Sequence, residues 1–213
     1  ALLFGTQQVW AATANYNDSS LTGGAEAWNS YVQGWNGLAN DFTYVSLTPG
    51  AAATELNFAW YNEGTTGTPT VYFGTDSQNL TEYTGTSNTV EASLTQGRQF
   101  CYNYVTVTGL QPNTTYYYSV NKSGVITPVE TYRTGSFDNV NILYFGDPQI
   151  GASKGQPQGE GMLSEDAGAA NTAARNDGFA WDRTLDIALA QNPNINFAIS
   201  AGDQVNNTGK AKE

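Results

Sequence analysis

The middle of the chain alternates apolar and polar positions with a period of two residues. From Phe42 to Thr134 this alternation occupies about seven short runs, separated by clusters of Gly, Pro, Asn and Asp. The runs read FTYVSLT, ATELNFAWYN, PTVYFGT, NTVEASLT, QFCYNYVTVTGL, TTYYYSVN and PVETYRTG. Short alternating runs with turn residues between them are typical of the antiparallel strands of a β-sandwich. We therefore predict a mainly β protein with a sandwich over residues 41–135.

The pattern changes after Ser136 to continuous apolar runs, VNILYF at 140–145 and INFAIS at 195–200. Such runs are expected of strands that are covered on both faces of a parallel sheet. Residues 147–176 are rich in Gly, Ala and Gln and predict a long loop. Apolar residues then recur at helical spacing at Trp181, Leu185, Ala188 and Leu189. This order predicts a β-α-β unit with two neighbouring parallel strands.

Residues 1–40 form a third stretch, which contains Trp10, Trp28 and Trp35. The loose helical spacing of aromatic residues over 25–38 favours a helix. We interpret the stretch as an extension that packs on a neighbouring domain. A simple N-terminal cap without a binding role is the competing interpretation, because scattered tryptophans more often pack than recognise a ligand.

Composition and charge exclude several classes of protein. Apolar residues make up 39% of the chain and charged residues only 13%, which excludes a disordered acidic tail and a coiled coil. The net charge is −11, and Arg98 is the only basic residue before Lys122, so nucleic acid is not an expected partner. No apolar run is long enough for a membrane span. A charge-poor chain rich in Asn, Thr, Ser and Tyr is typical of a secreted or cell-surface protein.

The reactive residues are few. Cys101 is the only cysteine, which excludes an intramolecular disulfide framework and a zinc site made of thiolates. The chain contains no histidine, the commonest metal ligand and the usual general base.

Each of the two continuous apolar runs ends in a Gly-Asp sequence. The first leads into Gly146-Asp147-Pro148-Gln149 and the second into Gly202-Asp203-Gln204-Val205-Asn206. Neighbouring parallel strands lie about 4.8 Å apart and end at the same edge of the sheet, so the two aspartates can converge. Carboxylates that close repel each other unless a cation lies between them. The alternative is that each aspartate only caps a turn.

Two resemblances to known families follow from these motifs. The segment from Leu110 to Tyr116, LQPNTTY, resembles the tyrosine corner of fibronectin type III domains. The segments NILYFGDPQ, WDRTLDIALAQNP and NFAISAGDQVN resemble the calcineurin-like metallophosphoesterases, in the branch with a fibronectin-like N-terminal domain that includes the purple acid phosphatases. Residues 136–213 would then be the N-terminal part of the catalytic domain.

This second resemblance implies a site and a reaction. Asp147 and Asp203 are implied as catalytic metal ligands, with Asp203 bridging two divalent or trivalent ions of Mn, Fe or Zn. Gln149 stands where many members have histidine, and Asn206 stands where purple acid phosphatases have tyrosine, which argues against a purple ferric centre. The implied activity is hydrolysis of phosphate mono- or diesters by a metal-bound hydroxide.

The histidine motifs that complete both metal sites in this family are missing from the 213 residues. We therefore expect the N-terminal portion of a secreted enzyme, inactive alone and with weak or no metal binding. Its expected partners are a phosphate ester and either the C-terminal remainder of the catalytic domain or another copy of itself. The alternative is a non-catalytic surface or assembly module that associates through its sandwich and its exposed half domain.

Overall fold

The computed structural model describes residues 24–38, 41, 43–95, 97–152 and 169–206. These residues form two compact units. One unit contains Asp41–Leu143 and Asn194–Ala198, and the other contains the remaining described residues. Trp10 lies outside the described residues.

The first unit is built on a β-sandwich. Between residues 43 and 135 its strands are β1 (Ser46–Pro49), β2 (Glu55–Glu63), β3 (Thr70–Gly74), β4 (Thr81–Thr84), β5 (Thr86–Thr89), β6 (Phe100–Thr108), β7 (Thr115–Lys122), β8 (Val125–Ile126) and β9 (Glu130–Arg133). One sheet has the order β1-β2-β6-β5. The other has the order β4-β3-β7-β8, with β9 also paired to β7. All of these pairings are antiparallel, as the alternating pattern predicts.

The core lies between the two sheets and is filled by every second residue of the central strands. Phe58 and Trp60 from β2 meet Val71 and Phe73 from β3, and Phe58 packs edge-on against Phe73 at 6.0 Å between ring centroids. Each such side chain contributes about 1.5–3 kcal/mol when it is removed from water. The period of two in the sequence is thus the alternation between core and outer face.

The turn before β7 has the predicted tyrosine corner. The backbone N–H of Gln111 donates to the Tyr116 hydroxyl at 2.7 Å, and Leu110 is buried beside it. The Thr134 hydroxyl accepts from the N–H of Thr114 at 2.8 Å and donates to the carbonyl of Gln111 at 2.6 Å. These bonds fix the turn to β7, through Tyr116, and to the end of β9, through Thr134. The fibronectin-like resemblance of this segment is therefore confirmed.

The second unit contains the helices α1 (Gly24–Leu38) and α2 (Ala169–Gln191). Trp28 of α1 packs edge-on against Phe179 of α2 at 5.1 Å, and Tyr31 contacts the same ring at 5.2 Å. Gly178 permits this approach, because a Cβ there would lie 2.6 Å from the Tyr31 hydroxyl. The helix predicted over residues 25–38 is therefore confirmed.

Two further strands, β10 (Ile142–Phe145) and β11 (Phe197–Ser200), pair in a two-stranded sheet. In the sequence β10 precedes α2 and β11 follows it. The N–H of Asn196 donates to the carbonyl of Asn141 and that of Ala201 to the carbonyl of Phe145, so residue numbers rise together along both strands. The pair is thus parallel. A sandwich followed by a β-α-β unit confirms the predicted fold class.

Helix α2 departs from its prediction at both ends. It begins at Ala169, inside the segment predicted as a loop, because alanines at 169, 170, 173 and 174 favour a helix despite Asn171 and Thr172 between them. At the other end Leu189 is 49% exposed, so the predicted apolar stripe does not continue to it.

The strands also depart from the predicted pattern in three ways. The strand predicted over NTVEASLT ends at Thr89, and a 3₁₀ turn follows at Ala92–Leu94. The short strands β4 and β8 were not predicted, because β4 is mostly exposed and polar and β8 is an exposed pair of residues. Strands β10 and β11 were both predicted to be covered on both faces, yet Tyr144 is 71% and Ile199 42% exposed. In the described chain only one side of β10 packs on α2, through Phe145 and Trp181. Among the described residues, neither helix has the length and apolarity that crossing a bilayer takes.

Candidate metal-binding site

The two Gly-Asp sequences lie side by side, because the pairing of β10 and β11 continues beyond the strands. The N–H of Asp147 donates to the carbonyl of Gly202 at 3.0 Å, and the N–H of Gln149 donates to the carbonyl of Asp203 at 2.9 Å. A parallel bridge between Ile150 and Val205 extends the pairing further. The structure therefore brings the backbones of the predicted site residues to one edge of the sheet.

At three of these residues the backbone adopts a left-handed conformation, which residues other than glycine seldom adopt. Asp147, Gln149 and Asp203 have φ angles of 61°, 41° and 50°. They are three of the five non-glycine residues with positive φ in the described chain. Each such residue costs on the order of 1–3 kcal/mol, and strain of this kind clusters at functional sites. A turn that served only to reverse the chain would be relaxed by glycine at these positions.

The glycine before each aspartate has a distinct steric reason. A Cβ on Gly146 would lie 2.8 Å from the Cβ of Ala201, so only glycine allows the two segments to approach at that point. Gly202 has a φ of 112°, which glycine alone adopts freely. The Gly-Asp repeat is therefore a requirement of the backbone at this edge.

Helix α2 holds the loop that follows Gln149. The carboxylate of Asp177 accepts the N–H of Gly151 at 2.8 Å, and Gly151 itself is buried with a φ of 98°. The sequence pattern did not identify Asp177 as part of the site. The sequence feature that could have identified Asp177 is its position four residues before Trp181, because residues at this spacing lie on the same face of a helix.

The side chains of the four predicted ligands, Asp147, Gln149, Asp203 and Asn206, are all exposed. By contrast, the amide of Gln204 is bonded within its own turn, to the Ser200 hydroxyl and to the carbonyl of Gly202. The four predicted ligands offer two carboxylates and two amide oxygens, which fit part of the shell of an oxygen-binding cation. The described residues contain no group of three or more His, Cys, Asp or Glu that can hold a metal ion. The donor set is therefore incomplete within these residues, and the ligand roles stay predictions.

Comparison with known proteins finds a sequence similarity for the sandwich and a similarity of fold for a larger part of the chain. Residues 42–134 match the family described as purple acid phosphatase, N-terminal domain. The fold is similar to that of purple acid phosphatase PPD1 from yellow lupin (Lupinus luteus) seeds, with a TM-score of 0.51 and 14% identity over 76% of this chain. A structure of PhoD matches over 79% of this chain and 40% of its own, with a TM-score of 0.42 and 11% identity. No curated protein sequence matches the chain.

These matches differ in what they establish. At 14% identity the lupin enzyme shows a shared fold, and the chain spans 29% of the length of that enzyme. The family match concerns the sandwich, which contains the tyrosine corner and the two antiparallel sheets. Residues 42–134 are therefore similar in sequence to the N-terminal domain of purple acid phosphatases.

Proposed function

We propose that these residues are the N-terminal portion of a secreted phosphoesterase that hydrolyses phosphate mono- or diesters at a dinuclear metal centre. The observation that carries the proposal is the order of the two units. A purple acid phosphatase N-terminal domain is followed in the chain by a β-α-β unit whose two strands deliver Asp147 and Asp203 to one edge. Either feature alone is compatible with several kinds of protein, whereas the combination is typical of the metallophosphoesterases.

In this proposal Asp147 and Asp203 hold the metal ions, and Gln149 and Asn206 supply amide oxygens. Metal ions, when bound, contribute the positive charge that attracts a phosphate ester and offsets the charge of its transition state. The chain's own part is to position the ligands. The strained backbone at Asp147 and Asp203 turns the two carboxylates out at the end of a rigid strand pair, and Asp177 fixes the loop beyond Gln149.

The charge of the chain agrees with this arrangement. A protein of net charge −11 repels an anionic ester unless cations reverse the local field. The 213 residues contain no histidine, so we propose that the remaining ligands and the acid for the leaving group come from a C-terminal remainder of the catalytic domain.

The first test is the intact mass of the native protein together with its activity. We expect a polypeptide heavier than 22.8 kDa that hydrolyses p-nitrophenyl phosphate when manganese is added. Asp203→Asn should abolish turnover, since it removes the carboxylate assigned to both metals. Asp138→Asn is the matched control, because Asp138 is an exposed aspartate whose carboxylate has no hydrogen bond or ion pair in the described chain.

Three results would decide against the proposal. The first is a native polypeptide of 22.8 kDa that does not hydrolyse the ester. The second is turnover in Asp203→Asn equal to that of the Asp138→Asn control. The third is retention of manganese by Asp203→Asn at the wild-type stoichiometry, measured by elemental analysis, which would remove Asp203 from the ligand set.

A further inference from the structure

The outer face of the four-stranded sheet carries three exposed tyrosines, Tyr61 on β2 and Tyr102 and Tyr104 on β6. Their strand neighbours Trp60 and Val105 are buried in the core, so alternation places the tyrosines on the opposite face. The three residues are 50%, 44% and 41% exposed. No hydrogen bond or ring contact ties their side chains to another residue of the described chain. We refer to these three residues as the tyrosine face.

The register of the strands sets their spacing. Tyr61 lies directly opposite Tyr102, and Tyr104 is two residues further along β6, a distance of about 7 Å. The residue opposite Tyr104 is Ala59, whose methyl group leaves that ring uncovered on this side. The sheet thus presents three neighbouring aromatic rings on a rigid support.

Polar side chains border the rings. On β5, Asn88 lies opposite Tyr102 and Thr86 lies opposite Tyr104. Both are exposed, and their side chains have no hydrogen-bond partner in the described chain. Together with the tyrosine hydroxyls they provide donors and acceptors around an apolar surface.

The charged groups at the end of this face neutralise each other. Arg98 donates from Nε and Nη2 to the two carboxylate oxygens of Glu63, at 3.1 and 2.8 Å, and its guanidinium lies 4.8 Å from the centre of the Phe100 ring. The residues directly opposite the three tyrosines on β2 and β5 are uncharged, although the chain as a whole carries −11. Glu55 lies on the same face at the far end of β2, where its carboxylate accepts the N–H of Ala51 at 3.0 Å. The face is therefore a neutral area on an acidic protein.

We propose that the tyrosine face binds a neutral polysaccharide. A sugar ring has apolar C–H faces and a rim of hydroxyls, and a tyrosine has an apolar ring face and a polar tip, so the two surfaces are complementary. The ligand is uncharged like the face, and no charge has to be stripped of water when they meet. Several rings at strand spacing fit a polymer with repeated sugar units better than a single sugar.

Other ligand classes fit this surface less well. A polyphosphate or another polyanion needs unpaired cations, and the one arginine here is bound to Glu63. An apolar protein surface needs aliphatic side chains, whereas the residues that share this face with the tyrosines are mostly polar: Ser46, Thr48, Asn57, Ala59, Thr86, Asn88, Thr106 and Thr108, with Glu55 and Glu63 at the two ends of β2. This proposal is independent of the phosphoesterase activity, since it concerns the sandwich alone.

The test is a depletion isotherm of the protein on insoluble cellulose, with insoluble xylan and mannan as further neutral polymers. We expect wild type to bind at least one of them, with little change at high salt. The double variant Tyr61→Ala/Tyr102→Ala should bind about tenfold or more weakly, while Tyr102→Phe should keep most of the affinity because the ring remains. Tyr72→Ala is the matched control, since Tyr72 lies on the outer face of the other sheet, its strand neighbours Val71 and Phe73 being buried.

Several outcomes would overturn the proposal. One is that wild type binds none of the neutral polymers, and another is that it binds acidic polygalacturonate equally well. A third is equal weakening in Tyr72→Ala. Sedimentation of the free protein adds a fourth, because a wild-type dimer that Tyr61→Ala/Tyr102→Ala converts to monomer, without any polysaccharide binding, would assign the face to self-association. Circular dichroism of each variant establishes that the sandwich is folded.

Discussion

Replacing Tyr116 with phenylalanine tests whether the tyrosine corner stabilises the sandwich. The ring of Tyr116 is buried and stacks on Phe73 at 4.7 Å with an interplanar angle of 18°. Phenylalanine preserves that stacking, so the variant removes only the hydroxyl that accepts the N–H of Gln111 at 2.7 Å. The backbone N–H is left without its partner.

The size of the effect follows from the surroundings of that bond. An unpaired buried donor costs about 1–3 kcal/mol, and the exposed position of Gln111 allows water to recover part of the loss. We therefore expect the variant to lower the free energy of unfolding of the sandwich by about 1–2 kcal/mol, a factor of about 5–30 in the equilibrium constant. The control is Tyr132→Phe, because Tyr132 lies directly opposite Tyr116 and its hydroxyl has no hydrogen bond in the described chain.

Hydrogen exchange read by mass spectrometry measures this free energy separately for the sandwich. Peptides from β2 and β6 report its opening, whereas peptides from α1 and α2 report the other unit. Exchange of the β2 and β6 peptides should accelerate in Tyr116→Phe and stay within about 0.5 kcal/mol of wild type in Tyr132→Phe. Equal exchange in the two variants would show that the hydroxyl does not stabilise the turn.

Three further predictions concern other contacts. Gly146→Ala should destabilise the end of β10 by about 1–3 kcal/mol because of its clash with the Cβ of Ala201, and Ala201→Gly in the same chain should restore exchange protection; a failed rescue would disprove the steric reason. Burial raises the pKa of Tyr132 above its ordinary 10.0, so the fold favours the neutral phenol. The contribution of this pKa shift to the free energy of unfolding should therefore be complete below pH 10.0, and the free energy should fall as the pH rises through the folded-state pKa. Urea titrations at increasing pH should show a shallower fall in Tyr132→Phe. Gly34→Ala should stabilise α1 by about 0.5–1 kcal/mol, since a Cβ there meets nothing within 4 Å, and unchanged protection of α1 peptides would contradict this.

The sandwich was readable from the sequence because each central strand buries one face. The alternation around Phe58 and Trp60 records that burial directly, and the segment from Leu110 to Tyr116 records the turn through residues whose roles are local. Strand β4 escaped prediction because it buries almost nothing, so no apolar pattern marks it. The start of α2 was hidden for a related reason, since buried Arg175 and Asn176 interrupt the apolar stripe.

The candidate site was predictable only at the level of the backbone. Parallel pairing of two neighbouring strands places Asp147 and Asp203 at one edge, and the order of elements in the chain was enough to predict it. The left-handed backbone at Asp147, Gln149 and Asp203, however, was not predicted, because even Asp, which adopts it more often than most residues, does so uncommonly and only in a suitable tertiary setting. The bond from Gly151 to Asp177 likewise joins residues 26 positions apart.

The bonds between the segments that carry the two aspartates have a consequence for how the protein is made. The side chain of Asn196 accepts the N–H of Asn141 across a separation of 55 residues, and the bonds near Asp147 and Asp203 close loops of similar length. The strands of the sandwich, by contrast, all precede Asp147 in the chain. During synthesis the sandwich therefore has all of its strands while the acid pair still lacks one member, and any cation bound by that pair is acquired only after translation has passed the second aspartate.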